Sequence, residues 1–199
     1  KVLLNFAGSG ELLQQIAKGA PVDVFASADQ ETMDKAQAQG LLNDSSRKDF
    51  VQNSLVVITP TNSTLALSTL EDLQQPALQR LAISNPDSVP VGRYSKQALL
   101  DSQLWEALAE KMINTQNVRQ SLDYVARDEV DAGFVYATDA AIMADKVKVQ
   151  FTVPLKTAVS YPIAVTKEGS AKALSQQFID YVFSSESQAV LNQYGFSQP

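Results

Sequence analysis

The 199-residue sequence contains no cysteine and no histidine. These absences exclude thiolate and imidazole metal sites, cysteine nucleophiles and every catalytic triad that uses histidine as its base. No apolar run approaches the roughly 20 residues that a membrane span requires. The N-terminal segment, residues 1–6, is too short for the hydrophobic region of a secretory signal, so we expect the signal of an exported protein to have been removed.

Basic residues are also scarce: 16 lysines and arginines face 22 acidic residues, which gives a formal net charge of -6. No lysine or arginine cluster forms a stripe, and this composition argues against a nucleic-acid partner. The net charge repels an anion at long range. An anion site in this chain must therefore act through local dipoles and close hydrogen bonds, within a Debye length of roughly 8 Å.

Apolar runs typical of strands alternate with amphipathic segments typical of helices. The predicted strands are residues 2–6, 22–26, 54–59, 80–84, 132–136, 147–153 and 160–166. The predicted helices are residues 10–18, 30–39, 95–100, 104–112, 118–128, 171–184 and 187–194. This alternation indicates an α/β protein with parallel or mixed sheets flanked by helices.

Local signals support several helix boundaries. Gly19 and Gly40 stand where left-handed C-caps are expected. Within the predicted helix 118–128, Val118, Leu122 and Val125 fall on one face. We expect that face to pack on a sheet.

No flexible Gly/Ser linker divides the chain, so two lobes would be joined by strands that cross between them. The apolar segments 55–60 and 161–166 are the candidates. They predict one lobe of residues 1–57 with 162–199 and a second of residues 58–161. A cleft between such lobes is the natural ligand site.

The segment around Ser9 reads as a strand end, a turn of small residues and a helix start. Gly8 and Gly10 permit close backbone approach, and the N–H groups of the first helical turn could form an anion pocket with the Ser9 hydroxyl. The alternative is that Ser9 only caps its own helix.

Three further positions could donate to an anion. In the turn 85–94, Val91 lies inside a Pro-X-Gly bend that could aim N–H groups into a cleft, with Arg93 nearby. Val118 begins a helix after Asn117, which leaves its N–H free. Tyr136 ends the strand 132–136, where its phenol could donate to a ligand or bond to a backbone carbonyl.

Three aspartates resemble catalytic groups at first sight. Asp29 precedes a helix, which favours a capping role over catalysis. Asp131 and Asp139 flank strand ends, and neither has an obvious partner for paired-carboxylate chemistry.

Taken together, these segments resemble the molybdate/tungstate-binding family of ABC-importer receptors, from the first residue to the last. The stretches that carry the resemblance are residues 6–10, 20–30, 53–57, 86–94, 117–119, 133–136 and 194–196. It implies a type II periplasmic-binding-protein fold with a ligand cleft between two lobes. It also implies a monomeric periplasmic receptor for an ABC permease, with no enzymatic activity and no cofactor.

The resemblance further implies that Ser9 holds the oxyanion through its hydroxyl and N–H, together with the N–H groups of Val91 and Val118 and the hydroxyl of Tyr136. Molybdenum or tungsten is then bound as the oxyanion, with no direct cation ligand. All these donors are neutral. A site without an acceptor would reject a protonated phosphate, whose hydroxyl would be left unpaired at a cost of roughly 1 to 3 kcal/mol.

The sequence departs from the family pattern in three ways. Gly8 and Gly10 stand where relatives often carry serines, and Val91 replaces a smaller residue. Family members also begin with an additional strand, an Ala/Ser-rich turn and a helix, which supply a second serine donor. We expect this chain to start after that segment, so that its first lobe lacks the first strand, the first helix and one hydroxyl.

Other functions remain open at this point. The same scaffold could bind sulfate, ferric ion or a small organic anion, although Tyr161, Tyr181 and Tyr194 are too scattered for a ferric site. A hydrolase could use Ser9 with Lys96 or Lys156. The effector domain of a transcription regulator would need a helix-turn-helix segment, and none is visible.

Overall fold

A computed structural model describes all residues from 1 to 199. The chain divides into two compact units, Lys1–Gln52 with Val159–Pro199 and Asn53–Ala158. The borders predicted from the sequence lie at residues 57/58 and 161/162. None of the helices has both the length and the apolar character needed to cross a membrane.

The first unit contains a three-stranded sheet and four α-helices. Its strands, in the order β1-β8-β2, are β1 (Val24–Ala26), β8 (Val159–Val165) and β2 (Lys48–Asn53). Its helices are α1 (Ser9–Ala17), α2 (Gln30–Ala38), α6 (Lys172–Val182) and α7 (Ser185–Gln193). Strand β1 pairs antiparallel to β8, with Phe25 opposite Ala164.

The second unit contains a five-stranded mixed sheet and three α-helices. Its strands are β3 (Leu55–Pro60), β4 (Leu81–Ser84), β5 (Met112–Thr115), β6 (Ala132–Tyr136) and β7 (Val147–Thr152), in the order β5-β4-β6-β3-β7. Its helices are α3 (Pro90–Asp101), α4 (Val118–Ala126) and α5 (Ala137–Ile142). Strand β4 runs parallel to β5 and β6, and β3 runs antiparallel to β6 and β7. The predicted α/β architecture with mixed sheets is confirmed.

Strand β3 lies at the centre of the second unit. It is an uninterrupted run of apolar and β-branched side chains, and all six of its residues are buried. Such a run is typical of a strand covered on both faces. Leu122 and Val125 of α4 pack against Val56 and Ile58, with Val118 partly buried beside them. The predicted apolar face of this helix is therefore confirmed.

Gly19 and Gly40 follow helices α1 and α2 with φ angles of +90° and +69°. The predicted left-handed C-caps are thus present at both positions, where a side chain would be strained.

The structure corrects three predicted elements. Residues 2–6 are not a strand, because they pair with no other strand and their side chains are exposed, Phe6 by 83%. Residues 104–112 do not form an α-helix: Gln103 takes a left-handed φ of 57°, and turns and a short 3-10 helix, Ala109–Lys111, then lead into β5. The helix predicted at residues 95–100 begins earlier, at Pro90.

Strands β2 and β5 and helix α5 were not predicted. The two strands contain few apolar side chains, and helix α5 has only six residues, too few to show a helical period. Strand pairing decides β5: Met112 to Thr115 is a strand because each of its residues aligns with one of β4.

Candidate functional site

Three neighbouring strands of the second unit end at the same edge of the sheet. Strand β4 lies between β5 and β6 and is parallel to both. The carboxyl ends at Ser84, Thr115 and Tyr136 therefore lie side by side. Ligands of open α/β sheets bind outside this edge, and each of the three strands here leads into a helix.

Helix α3 begins with Pro90, directly before the predicted donor Val91. Proline suits this first helical position because its φ is already helical and it has no N–H to satisfy. No side chain caps the helix, and the first backbone bond runs from Arg93 N–H to the Val89 carbonyl, 3.2 Å. The N–H groups of Val91 and Gly92 are left without an acceptor in the chain.

The predicted Pro-X-Gly bend is thus the first turn of a helix. Val91 is only 1% exposed, and its carbonyl accepts a 2.7 Å hydrogen bond from the Ser95 hydroxyl. Only its backbone N–H remains to donate. Arg93 is half-buried and donates to the Pro86 carbonyl at 3.3 Å.

Gly92 explains how the start of α3 lies so close to the sheet. A Cβ atom on Gly92 would lie 2.1 Å from the carbonyl oxygen of Ser84, the last residue of β4. Only glycine fits this approach, because a backbone oxygen cannot move aside as a flexible side chain does. The sequence analysis assigned this residue to a bend and missed this contact.

Helix α4 follows β5, the strand next to β4 in the sheet. The side chain of Asn117 accepts a 2.9 Å hydrogen bond from Gln120 N–H, and its carbonyl accepts from Ser121 N–H at 3.3 Å. Val118 is the first helical residue and is half-buried. Its N–H has no acceptor in the chain, as predicted from the sequence.

Tyr136 ends β6 and stands immediately before helix α5. It is 4% exposed, and its backbone N–H donates to the carboxylate of Asp139 in the first turn of that helix. The second unit therefore brings Val91, Val118 and Tyr136 to the ends of three adjacent strands.

The carboxyl group of Asp139 has an unusual proton affinity. Burial raises its pKa from 3.8 to about 6, although nearby Arg119 and the Tyr136 N–H both lower it. A folded-state pKa above the unfolded value means that the folded chain holds this proton more tightly. Its contribution to stability is complete below pH 4 and is lost as the pH rises through about 6.

We expect the Asp139→Asn variant to have a higher free energy of unfolding than the unmodified chain at pH 7 but not at pH 4. Asparagine can still accept from Tyr136 N–H, yet it carries no charge to bury. Urea unfolding of both proteins at pH 4, 5 and 7 measures the difference. The effects of carboxylates common to both proteins cancel in this comparison. A difference in unfolding free energy that does not change with pH would contradict the raised pKa of Asp139.

Ser9 belongs to the first unit and is the first residue of α1, whose N-cap is Gly8. It does not cap its own helix, so that alternative is wrong. Its hydroxyl oxygen instead accepts from Ala28 N–H at 3.0 Å, and the side chain is 5% exposed. A hydroxyl held in this way by an accepted bond still has its own proton to donate.

Two other aspartates have structural roles. Asp29 caps α2, as predicted, by accepting from Thr32 N–H at 3.0 Å. Asp131 accepts from the N–H groups of Gln79 and Arg80, at 2.8 and 2.7 Å, which ties the start of β4 to the start of β6.

The lysines considered for a hydrolase have partners in the second unit. Lys96 lies over the ring of Trp105, 5.2 Å from its centroid. Lys156 forms an ion pair with Asp101 at 3.0 Å. Both ammonium groups are therefore engaged by other side chains of the second unit.

Comparison with known proteins assigns the chain to a defined class. The family model of the bacterial extracellular solute-binding proteins matches residues 1–197. The chain belongs to this family of solute-binding proteins.

Particular relatives carry more specific names. The molybdate-binding protein ModA of Escherichia coli is 36% identical over 98% of this chain and 78% of its own length. The periplasmic molybdate-binding protein of Azotobacter vinelandii superimposes with a TM-score of 0.87 at 26% identity, covering 100% of this chain and 87% of that one. The sulfate-binding protein SubI of Mycobacterium tuberculosis has a TM-score of 0.83 at 14% identity, covers 96% of this chain and 74% of that one, and shows the fold alone.

Proposed function

We propose that this chain is the periplasmic receptor of an ABC importer, that it binds molybdate or tungstate as a monomer, and that it delivers the oxyanion to the membrane permease. The observation that carries the proposal is that Val91 and Val118, which follow the ends of adjacent strands, both have N–H groups without an acceptor in the chain. The names of the relatives that bind molybdate support the choice of ligand.

In this proposal the second unit binds the oxyanion through the N–H groups of Val91 and Val118 and the hydroxyl of Tyr136. The first unit contributes Ser9, through its hydroxyl and its N–H. Support for Ser9 comes from the resemblance and from its hydroxyl proton, which has no acceptor in the chain.

The chemistry of these donors suits the ligand. Molybdate, tungstate and sulfate are fully deprotonated at neutral pH, so every ligand oxygen accepts and none donates. The N–H groups of Ser9, Val91 and Val118 lie in the first turns of helices. Partial positive charge there favours an anion by roughly 0.3 to 1 kcal/mol at an exposed site and by more at a buried one. This local field acts at short range and is compatible with a net charge of -6.

Calorimetric titration with molybdate, tungstate, sulfate and phosphate tests the proposal. We expect tight binding of the first two ions and little response to the others. Preferential binding of sulfate would assign the chain to a sulfate receptor of the same fold. Silence toward all four ions would contradict oxyanion transport and favour an organic anion as ligand.

Replacing Tyr136 with phenylalanine should weaken molybdate binding by roughly 1.5 to 3 kcal/mol, the contribution of one hydrogen bond to a charged group. The aromatic ring stays in place, so the protein should remain folded. Tyr124→Phe is the matched control, because Tyr124 packs against the core of the same unit from helix α4. Equal affinities of the two variants would remove Tyr136 from the site.

A further inference from the structure

Three buried hydroxyl groups form a cluster in the second unit. The cluster consists of the side-chain oxygens of Ser84, Thr115 and Ser121. The oxygen–oxygen distances are 3.0 Å from Ser84 to Thr115, 3.3 Å from Ser84 to Ser121 and 2.6 Å from Thr115 to Ser121. The three residues are 0%, 2% and 0% exposed. Each hydroxyl is therefore satisfied by the other two, within a part of the core from which solvent is excluded.

This hydroxyl cluster joins the strands and the helix that position the Val91 and Val118 N–H groups. Ser84 and Thr115 are paired residues at the ends of β4 and β5. Ser121 lies in the first turns of α4, and the Thr115 hydroxyl also lies 3.3 Å from the carbonyl of Asn117, directly before Val118.

The start of α3 is attached to the same point. Gly92 lies against the Ser84 carbonyl, so a shift of Ser84 would move the first turn of α3, including Val91. The backbone N–H of Asn85 donates to the Thr115 carbonyl at 2.8 Å. The hydroxyl cluster thus lies where displacements of Val91 and of Val118 are coupled.

We propose that the Ser84, Thr115 and Ser121 hydroxyls are positioning groups that fix the spacing between the Val91 and Val118 N–H groups and thereby select the oxyanion by size. The inference rests on the proposed function and deepens it. Molybdate and tungstate are larger than sulfate. Donors held at a fixed spacing bond well to the larger ion and poorly to the smaller one, whereas donors free to approach each other would serve both.

Directional bonds explain why hydroxyls occupy these positions. A buried polar group costs stability unless it is paired, and apolar side chains of similar shape would fill the same space without that cost. Apolar contacts tolerate small sliding movements, but a closed set of directional hydrogen bonds has one preferred geometry. The cluster is therefore suited to holding two strand ends and a helix in one register.

The test compares affinities for molybdate and sulfate in Thr115→Val, a change of similar shape that removes one hydroxyl. We expect the ratio of the sulfate Kd to the molybdate Kd to fall by about tenfold, equivalent to about 1.4 kcal/mol. Thr115→Ser keeps the hydroxyl and should leave the ratio of the sulfate Kd to the molybdate Kd as it is in the unmodified chain.

Thr59→Val is the matched control. Thr59 is also fully buried in the same sheet, and its hydroxyl accepts a 2.8 Å bond from Gln150. It lies towards the end of β3 that is opposite to Tyr136, since Leu55 is the residue paired with Tyr136. The Thr59→Val substitution should lower the melting temperature without changing the ratio of the sulfate Kd to the molybdate Kd.

The outcomes separate the inference from the proposed function. If Thr115→Val binds both ions with the unaltered ratio, or if Thr59→Val changes the ratio equally, the cluster does not select the ion. Should Thr115→Val fail to fold, Ser84→Ala makes the same comparison with the same expected direction. If the unmodified chain binds neither ion, the proposed function is wrong and the inference is overturned with it.

Discussion

Gly92→Ala is expected to cause the largest loss of both stability and binding among single substitutions at the candidate site. The added Cβ would lie 2.1 Å from the backbone oxygen of Ser84, so helix α3 must move away from β4. Forced overpacking of this kind costs about 1 to 3 kcal/mol of folding free energy, and a contact with backbone belongs at the upper end. Urea unfolding measures this loss.

The same displacement should carry the Val91 N–H away from the ligand. Losing one hydrogen bond to a charged group weakens binding by roughly 1.5 to 3 kcal/mol, or about 10-fold to 150-fold. Gly40→Ala is the control, since it strains a left-handed φ of +69° with nothing within 4 Å of the new Cβ. It should reduce stability and leave molybdate affinity unchanged. A Gly92→Ala protein with undiminished affinity would show that Val91 does not bind the ion.

Val118→Pro should remove one backbone donor while the fold is retained. Proline is tolerated at the first position of a helix, and the preceding residue, Asn117, already has the extended backbone that proline requires, with φ -163° and ψ 169°. Calorimetry should show molybdate binding weakened by about 10-fold to 150-fold, because the lost bond is to a charged ligand.

The control for this experiment is Val118→Ala. It trims the partly buried side chain that packs against the core but keeps the N–H. If both variants bind molybdate equally well, the Val118 N–H takes no part in the site. If only the proline variant is weakened, the donor is the backbone and not the side chain.

Local patterns predicted the parts of the fold that depend on local physics. The strand from Leu55 to Pro60 follows from an uninterrupted apolar run, the apolar face of α4 follows from the helical period, and both are present. Gly19 and Gly40 mark the ends of helices because each has a positive φ angle that other residues rarely adopt. This requirement depends only on the neighbouring backbone.

The failures fall where distant contacts decide the structure. Residues 2–6 have strand-like composition, yet no other strand pairs with them. The segment from Met112 to Thr115 has little strand character and becomes β5 through its alignment with β4.

The candidate site likewise has features that the local sequence predicts and features that depend on distant contacts. Val118 was found from its position after a capping asparagine, and Val91 from the Pro-X-Gly pattern around it, although Pro90 in fact begins a helix there. The contact of Gly92 with Ser84 and the hydroxyl cluster depend on the pairing of β4 with β5. No spacing in the sequence reports that pairing, so these features could not have been predicted.

A crystal structure of the chain with bound molybdate, located by the anomalous scattering of molybdenum, tests the proposed oxyanion site most directly. We expect the ion at the ends of β4, β5 and β6, with the amide nitrogens of Val91 and Val118 about 2.7 to 3.2 Å from its oxygens. Molybdate bound to surface lysines, with both amides uncommitted, would show that the proposed site is wrong.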